Sequence, residues 1–218
     1  MNSQSEEDYL KALYHLEMDN DAVSTNSIAD YLDMKPSSVT DMLKKLAEKK
    51  YINYEKYKGT SLTKKGRLVA LSIIRKHRLW ETFLVEKLGF GWDQVHIIAE
   101  QLEHIKSEEL IENLDDFLGN PKYDPHGDPI PSKDGKIEKM NQKLLVELKA
   151  DQKGIITGVK KGTTSLLNYL DKEKIKLGDS VKVIEILEFD GTYIVEINKR
   201  KITFSEKICQ NLLLETND

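Results

Sequence analysis

The chain has 218 residues, enough for one to two compact domains, with 39% hydrophobic and 32% charged residues and a net charge of −4. No run of about 18 apolar residues is present to span a bilayer, and the acidic start MNSQSEEDYL lacks the apolar core of a signal peptide, so a cytoplasmic location is the expectation. A single cysteine, Cys209, excludes an internal disulfide and a Cys-rich zinc site; its expected role is that of a small buried apolar side chain.

The modest net charge hides an asymmetry. Residues 1–34 carry eight acids and one base, whereas residues 35–67 carry ten bases against three acids, a local +7. A basic segment of this kind is an electrostatic footprint for nucleic acid even in an acidic chain.

Taken in order, residues 5–18 place Leu10, Leu13, Tyr14 and Met18 on one helical face. Ser5 and Asp8 are spaced as a capping pair, Glu17 falls in a last turn where a carboxylate reaches water, and His15 reads as a surface or boundary residue. A short helix over 24–33 turns Ile28, Ala29 and Leu32 inward. Pro36 breaks it, and Ser37 or its neighbour starts a second helix through Leu46. Two short helices around a tight turn form a helix-turn-helix, and the second begins with hydroxyl residues and ends basic. Residues 51–55 and 61–63 alternate as strands around a turn at 57–60, which makes the unit a winged helix with Lys56 and Lys58 at the wing tip, in reach of backbone phosphate.

A long apolar helix from Gly66 to about Gly89 carries Trp80, Phe83, Leu84 and Leu88 on its greasy side, together with His77 and Glu81. After a turn at 90–92 a further helical run places His96, Glu100, Glu103 and His104 on one face, because steps of four and three stack side chains. Three of the five histidines lie in this stretch. Two readings stay open from spacing alone: ion pairs on a solvated face, or a lone-pair-rich site for a divalent cation. The apolar residues around them favour packed helices, in which charges need partners, and their abundance favours self-association.

Residues 119–136 hold four of the five prolines, a rigid connector that also contains Asp124, His126 and Asp128. From about Gly154 short apolar runs alternate with Gly-containing turns, among them Asp190-Gly191, as in a small β-barrel. The motif H-E-x-x-H is absent. The His/Glu cluster would use its own carboxylates as ligands, leaving no general base, so an enzyme is not expected.

Over nearly its whole length the chain resembles the metal-dependent repressors of the diphtheria toxin repressor and MntR type. The likeness runs through EDYLKALYHLE, KPSSVTDMLKKL, YEKYKGTSLTKKG, RKHRLWETFL, VHIIAEQLEHIKSEEL and DPHGDPIP. It implies a mainly α protein with a winged helix-turn-helix over 1–70, a helical dimerisation and metal-binding domain over 71–140, and an SH3-like barrel over 150–218. It also implies a homodimer that represses metal-uptake genes when a metal is bound.

Carried over residue by residue, the primary metal site is Asp8, Glu100, Glu103 and His104, and the second is His77, Glu81, His96, Asp124 and His126. For a helix-turn-helix entering the major groove, Ser37, Ser38 and Thr40 are expected to contact base edges or methyls, Lys35, Lys44 and Lys58 phosphates, and Pro36 and Lys56 belong to the same DNA-binding surface. In the iron-responsive branch Met and Cys take the places of Asp8 and Glu100. Carboxylates at both positions are harder donors and point to Mn²⁺, with an iron-dependent repressor as the alternative. Two departures stand out. Lys11 occupies the place of an acid found in the two-domain manganese regulators. Asp124 replaces a connector Cys of the three-domain relatives, whose barrel acid falls in a region reading Val159-Lys160-Lys161-Gly162 here, and a charged lysine is no ligand.

Overall fold

The computed structural model describes residues 2–18, 22–55, 59–91, 94–137, 142–160 and 163–216. They fall into two compact units. The first comprises the chain up to His77 with residues 100–111 and 131–136; the second comprises 78–99, 112–130 and the chain from 137 onward.

In the first unit, α1 (Gln4–Glu17) starts two residues earlier than expected. Its N-cap is Ser3: the Glu6 amide donates to Ser3 Oγ at 3.3 Å and the Ser3 amide to Glu6 Oε2 at 3.0 Å, a reciprocal capping box in place of the Ser5–Asp8 pairing. Leu10 and Leu13 are fully buried. Glu17 is held by the protein rather than turned out to water. Its side chain is 8% exposed, pairs with Arg67 and accepts the Leu62 amide, tying the end of α1 to the wing.

Ser24 caps α2 (Thr25–Tyr31), and Pro36 is the first residue of α3 (Pro36–Glu48), where its missing N–H costs nothing. Strands β1 (Ile52–Glu55) and β2 (Gly59–Leu62) pair antiparallel, Ile52 opposite Leu62 and Glu55 opposite Gly59. Val23, just before α2, exchanges two backbone hydrogen bonds with Thr60, at 3.0 and 2.8 Å. These elements make the winged helix.

Glu6 locks α1 to the far end of α3. Its carboxylate is 1% exposed and lies 2.6 Å from Lys49 Nζ and 3.0 Å from Lys45 Nζ. Burial pushes its pKa up, but the Lys49 bond, the Ser3 amide and Lys45 together bring it down to about 2. Because the folded value lies below the ordinary 4.5, the stability Glu6 contributes is complete above about pH 4.5 and fades as pH falls toward 2. Glu6→Gln is therefore expected to lower stability at neutral pH by about 1.5–3 kcal/mol. It should also flatten this part of the acid limb in urea melts taken from pH 7 to pH 3.

The 23-residue α4 (Lys64–Glu86) begins in the first unit, where Ala70, Leu71, Ile73 and Ile74 are buried, and continues into the second, where Leu79, Trp80 and Leu84 are buried. It is followed by α5 (Val95–Leu102) and α6 (Glu108–Phe117). No helix among the described residues is long and apolar enough to cross a membrane.

The C-terminal part of the second unit is an antiparallel six-stranded sheet in the order β3 (Gln142–Leu144), β8 (Leu212–Glu215), β4 (Lys153–Val159), β5 (Ser180–Leu187), β6 (Thr192–Ile197), β7 (Arg200–Phe204). The helices α7 (Thr164–Lys172) and α8 (Glu206–Cys209) accompany it. Its core of Leu145, Ile156, Val183, Val195, Phe204 and Leu212 is that of a small β-domain, and the described pairings form an open sheet rather than a closed ring. Asp190-Gly191 turns the β5–β6 hairpin as expected. Cys209 is fully buried and its thiol is pushed up to about 12, the inert apolar role read from the sequence.

Candidate metal centres and DNA-reading face

The helix bearing the His/Glu ladder ends at Leu102, so Glu103 and His104 stand in the turn beyond α5 rather than on its face. That turn brings them to α1 within the first unit. His104 Nε2 lies 3.1 Å from Asp8 Oδ1 and 3.9 Å from Glu103 Oε1. One donor atom from each of Asp8, Glu103 and His104 falls within 4.8 Å of the others. Ligands held about 2.1 Å from one cation sit about 3–3.5 Å from each other, so the three fit a divalent ion with small adjustment. Glu100 is exposed and lies outside this group.

Two further side chains shape the site. Glu7 Oε2 lies 2.7 Å from His104 Nδ1; with the proton on Nδ1, His104 donates to Glu7 and turns the Nε2 lone pair toward Asp8. A carboxylate behind an imidazole in this way orients it and raises its basicity as a ligand. Lys11 Nζ donates to both oxygens of Glu103, at 2.7 and 3.0 Å, and lies 3.3 Å from His77 Nδ1. His77 Nδ1 is in turn 2.5 Å from Glu103 Oε2, so within the first unit His77 stands beside Glu103.

The electrostatics of the two acids diverge. Asp8 is raised above the usual carboxylate range by burial, with Glu103 and Glu7 adding repulsion against the pull of His104 and Lys11. Glu103 is lowered in spite of its burial, by His77 and Lys11.

Within the second unit a further group of donors forms. Glu81 Oε1 is 3.4 Å from His96 Nδ1, and Glu81 Oε2 is 3.5 Å from His126 Nδ1. Asp124 Oδ1 lies 4.0 Å from His126 Nδ1, and donor atoms of Glu81, Asp124 and His126 cluster within 4.8 Å. Asp124 is shaped by its loop: its Oδ1 accepts the amides of His126 at 2.8 Å and Asp128 at 2.9 Å, and Arg78 Nε stands 3.6 Å from Oδ2. Burial pushes Asp124 up to about 7, reinforced by Asp128 and Glu81 and opposed by Arg78 and His126. Two carboxylates and two imidazoles make a mixed oxygen and nitrogen donor set. The Val159 amide donates to the His126 carbonyl at 3.0 Å, so the connector is seated on β4. Lys161 and Gly162 lie outside the described residues.

On the reading face, Lys35, Pro36, Ser37, Ser38 and Lys44 are exposed, while Thr40 is half-buried and donates its hydroxyl to the Pro36 carbonyl at 2.9 Å. Lys44 Nζ rests 3.2 Å from Asp41, an exposed pair of little energetic value. A groove of about 400 Å³ runs along Pro36 and Thr40 to Tyr54 of the wing and is also lined by Ser24, Thr25 and Asn26. These three polar residues at the start of α2 were not among the residues expected on this face. Lys56 and Lys58 lie outside the described residues.

Residues 1–60 match the model of the iron dependent repressor N-terminal DNA binding domain, residues 63–132 that of the iron dependent repressor metal binding and dimerisation domain, and residues 143–216 the FeoA domain. The chain belongs to the iron-dependent repressor family. It is 36% identical to the HTH-type transcriptional regulator MntR of Oceanobacillus iheyensis over 124 residues, 57% of this chain and 84% of that one. It is 34% identical to the iron-dependent repressor IdeR of Mycobacterium tuberculosis over 123 residues, 56% of this chain and 54% of IdeR. A solved manganese-dependent transcriptional repressor in complex with manganese superposes with a TM-score of 0.75 at 32% identity, over 97% of this chain and 100% of that one.

Membership of the iron-dependent repressor family makes the protein a DNA-binding regulator and not an enzyme. It also gives the first cluster a division of origin: Asp8 comes from the DNA-binding region, and Glu103 and His104 from the metal-binding and dimerisation region. Lys11 stood out in the sequence as a departure from an acid, but its bond to Glu103, the role of Glu7 and the placement of His77 beside Glu103 were not read from it. Glu7 and Lys11 lie four residues apart on α1, with Asp8 between them, and that shared face was a further signal.

Proposed function

We propose that this protein is a homodimeric, cytoplasmic repressor that binds operator DNA when Mn²⁺ occupies its metal sites, and so turns down metal-uptake genes. The primary site is Asp8, Glu103 and His104, with Glu100 as a fourth ligand one turn before them. The second is Glu81, His96, Asp124 and His126, with His77 assigned to it from the family resemblance. The observation that carries the reading is the meeting of Asp8, from the DNA-binding region, with Glu103 and His104 from the metal-binding region.

When bound, a divalent cation supplies positive charge shared by donors from both regions. Asp8 sits on α1, and α1 packs on α2 and β2 of the winged helix, so fixing Asp8 fixes the reader. Glu7 keeps His104 turned toward Asp8. In a dimer the two readers must meet half-sites about one helical turn of DNA apart, or a multiple of it, so their angle controls affinity. Carboxylate-rich donors favour manganese through hardness and geometry, against the intrinsic affinity order.

The decisive experiment measures operator binding by fluorescence anisotropy at buffered free Mn²⁺, Fe²⁺ (anaerobic), Zn²⁺ and Mg²⁺. Activation by Mn²⁺ at the lowest physiological free concentration is the expected result; activation by Fe²⁺ alone would establish the iron-dependent alternative, which the IdeR relative supports.

On the DNA side, Ser37, Ser38 and Thr40 reach base edges or methyls, and Lys35, Lys44, Lys56 and Lys58 neutralise phosphates. Lys44→Ala is expected to weaken binding to all sequences about equally and to reduce the slope of log K against log salt by about 0.9. Anisotropy titrations between 50 and 200 mM salt read both effects.

A further inference from the structure

The Lys11 ammonium sits inside the first metal-ligand group rather than on the surface. Its side chain is 13% exposed and that of Glu103 is 2% exposed. Lys11 straddles both Glu103 oxygens, at 2.7 and 3.0 Å, with His77 Nδ1 at 3.3 Å on its other side. A carboxylate bonded in this way through both oxygens has fewer lone pairs to give to a metal. Among the described side chains here, the carboxylates of Glu7, Asp8 and Glu103 outnumber the Lys11 ammonium, and the excess negative charge favours a divalent cation.

We infer that Lys11 is a tethered counter-cation: it holds Glu103 in place in the metal-free protein, competes with the metal for that carboxylate, and thereby sets how much metal the repressor needs before it responds. The inference rests on the proposed reading of Asp8, Glu103 and His104 as a metal site. Two opposed effects follow from one charge. Removing the ammonium takes a charged partner from buried Glu103 and leaves His77 beside it, so the metal-free protein loses stability. It also deepens the negative potential at the site, so the metal binds more tightly.

The test compares wild type, Lys11→Met, Lys11→Gln and Lys11→Arg as full chains without DNA, by isothermal titration with Mn²⁺ and by thermal melts with and without Mn²⁺. Lys11→Gln keeps a donor for Glu103 and serves where Lys11→Met folds poorly. Both neutral variants are expected to melt lower without metal, to bind Mn²⁺ at least about tenfold more tightly at the Asp8-dependent site, and to show a larger metal-induced rise in melting temperature. Lys11→Arg, which keeps the charge, should behave as wild type.

A lysine with a merely structural role would lower stability and weaken metal binding together. Unchanged or weaker Mn²⁺ binding in the neutral variants therefore overturns the inference while leaving the metal site standing. A wild-type titration that Asp8→Ala leaves unchanged overturns the metal-site reading, and the inference with it.

Discussion

The Asp8→Ala variant is expected to lose at least about a hundredfold in Mn²⁺ affinity at the primary site, since even residues that merely support a ligand are worth 10–100-fold. At metal levels that saturate wild type, it should show no metal-dependent operator binding. The dimer should persist, because Asp8 lies in the DNA-binding region rather than the dimerisation region. Its side chain is 44% exposed, so stability should change by less than about 1 kcal/mol.

Glu103→Ala should abolish the same response with a different signature. It removes a buried carboxylate from Lys11 and His77, and breaking a buried pair from one side costs about 3–5 kcal/mol. Anisotropy with operator DNA, sedimentation and urea melts, run on both variants, separate loss of the ligand from loss of the fold. Full manganese response in either one would remove that residue from the site.

Gly127→Ala is the substitution with the largest expected effect on the second site. Gly127 has φ +89°, and an added Cβ would stand 2.0 Å from the Thr157 carbonyl oxygen and 2.1 Å from Gly158 Cα. These are backbone atoms of β4, which cannot rotate away as a side-chain tip can. The connector would have to lift off the strand, breaking the Val159–His126 backbone hydrogen bond. Positive-φ strain and steric conflict together should cost about 3 kcal/mol or more.

Lifting the connector displaces Asp124 and His126, so metal binding at the second site should fall while binding that depends on Asp8 remains. Gly119→Ala is the control. It also has positive φ, +79°, but open space around the new Cβ, and should cost only about 1 kcal/mol. Calorimetric melts and Mn²⁺ titrations of the two variants test the contrast; equal effects would show that the seating on β4 is unimportant.

Much of the fold was legible because the signals are short-range. The apolar period of α1, the Pro36 break before α3, the wing and the Asp190-Gly191 hairpin each lie within a few residues of the atoms they organise. The edge strand β3 and the closing strand β8 were not read. Three residues of mixed character make a weak pattern, and Leu212–Glu215 becomes a strand by pairing with β3 and with β4, more than fifty residues away. The capping residue was misread for a local reason: Ser3 with Glu6 and Ser5 with Asp8 have the same spacing, and burial of Glu6 against Lys45 and Lys49 selects the first.

The candidate sites divide in the same way. The His/Glu ladder and the acidic connector marked the chemistry, because ligand types and helical spacing are written along the chain. Where the ladder breaks was decided by the end of α5 at Leu102, which sends His96 to Glu81 and turns Glu103 and His104 to Asp8. The Lys11–Glu103 contact joins residues 92 positions apart. Periodicity relates side chains only over three or four residues of a helix. The order of residues along the chain fixes which donors exist and on which elements they ride; packing sets which of them share a charge, because electrostatic partnership depends on distances that tertiary contacts alone create.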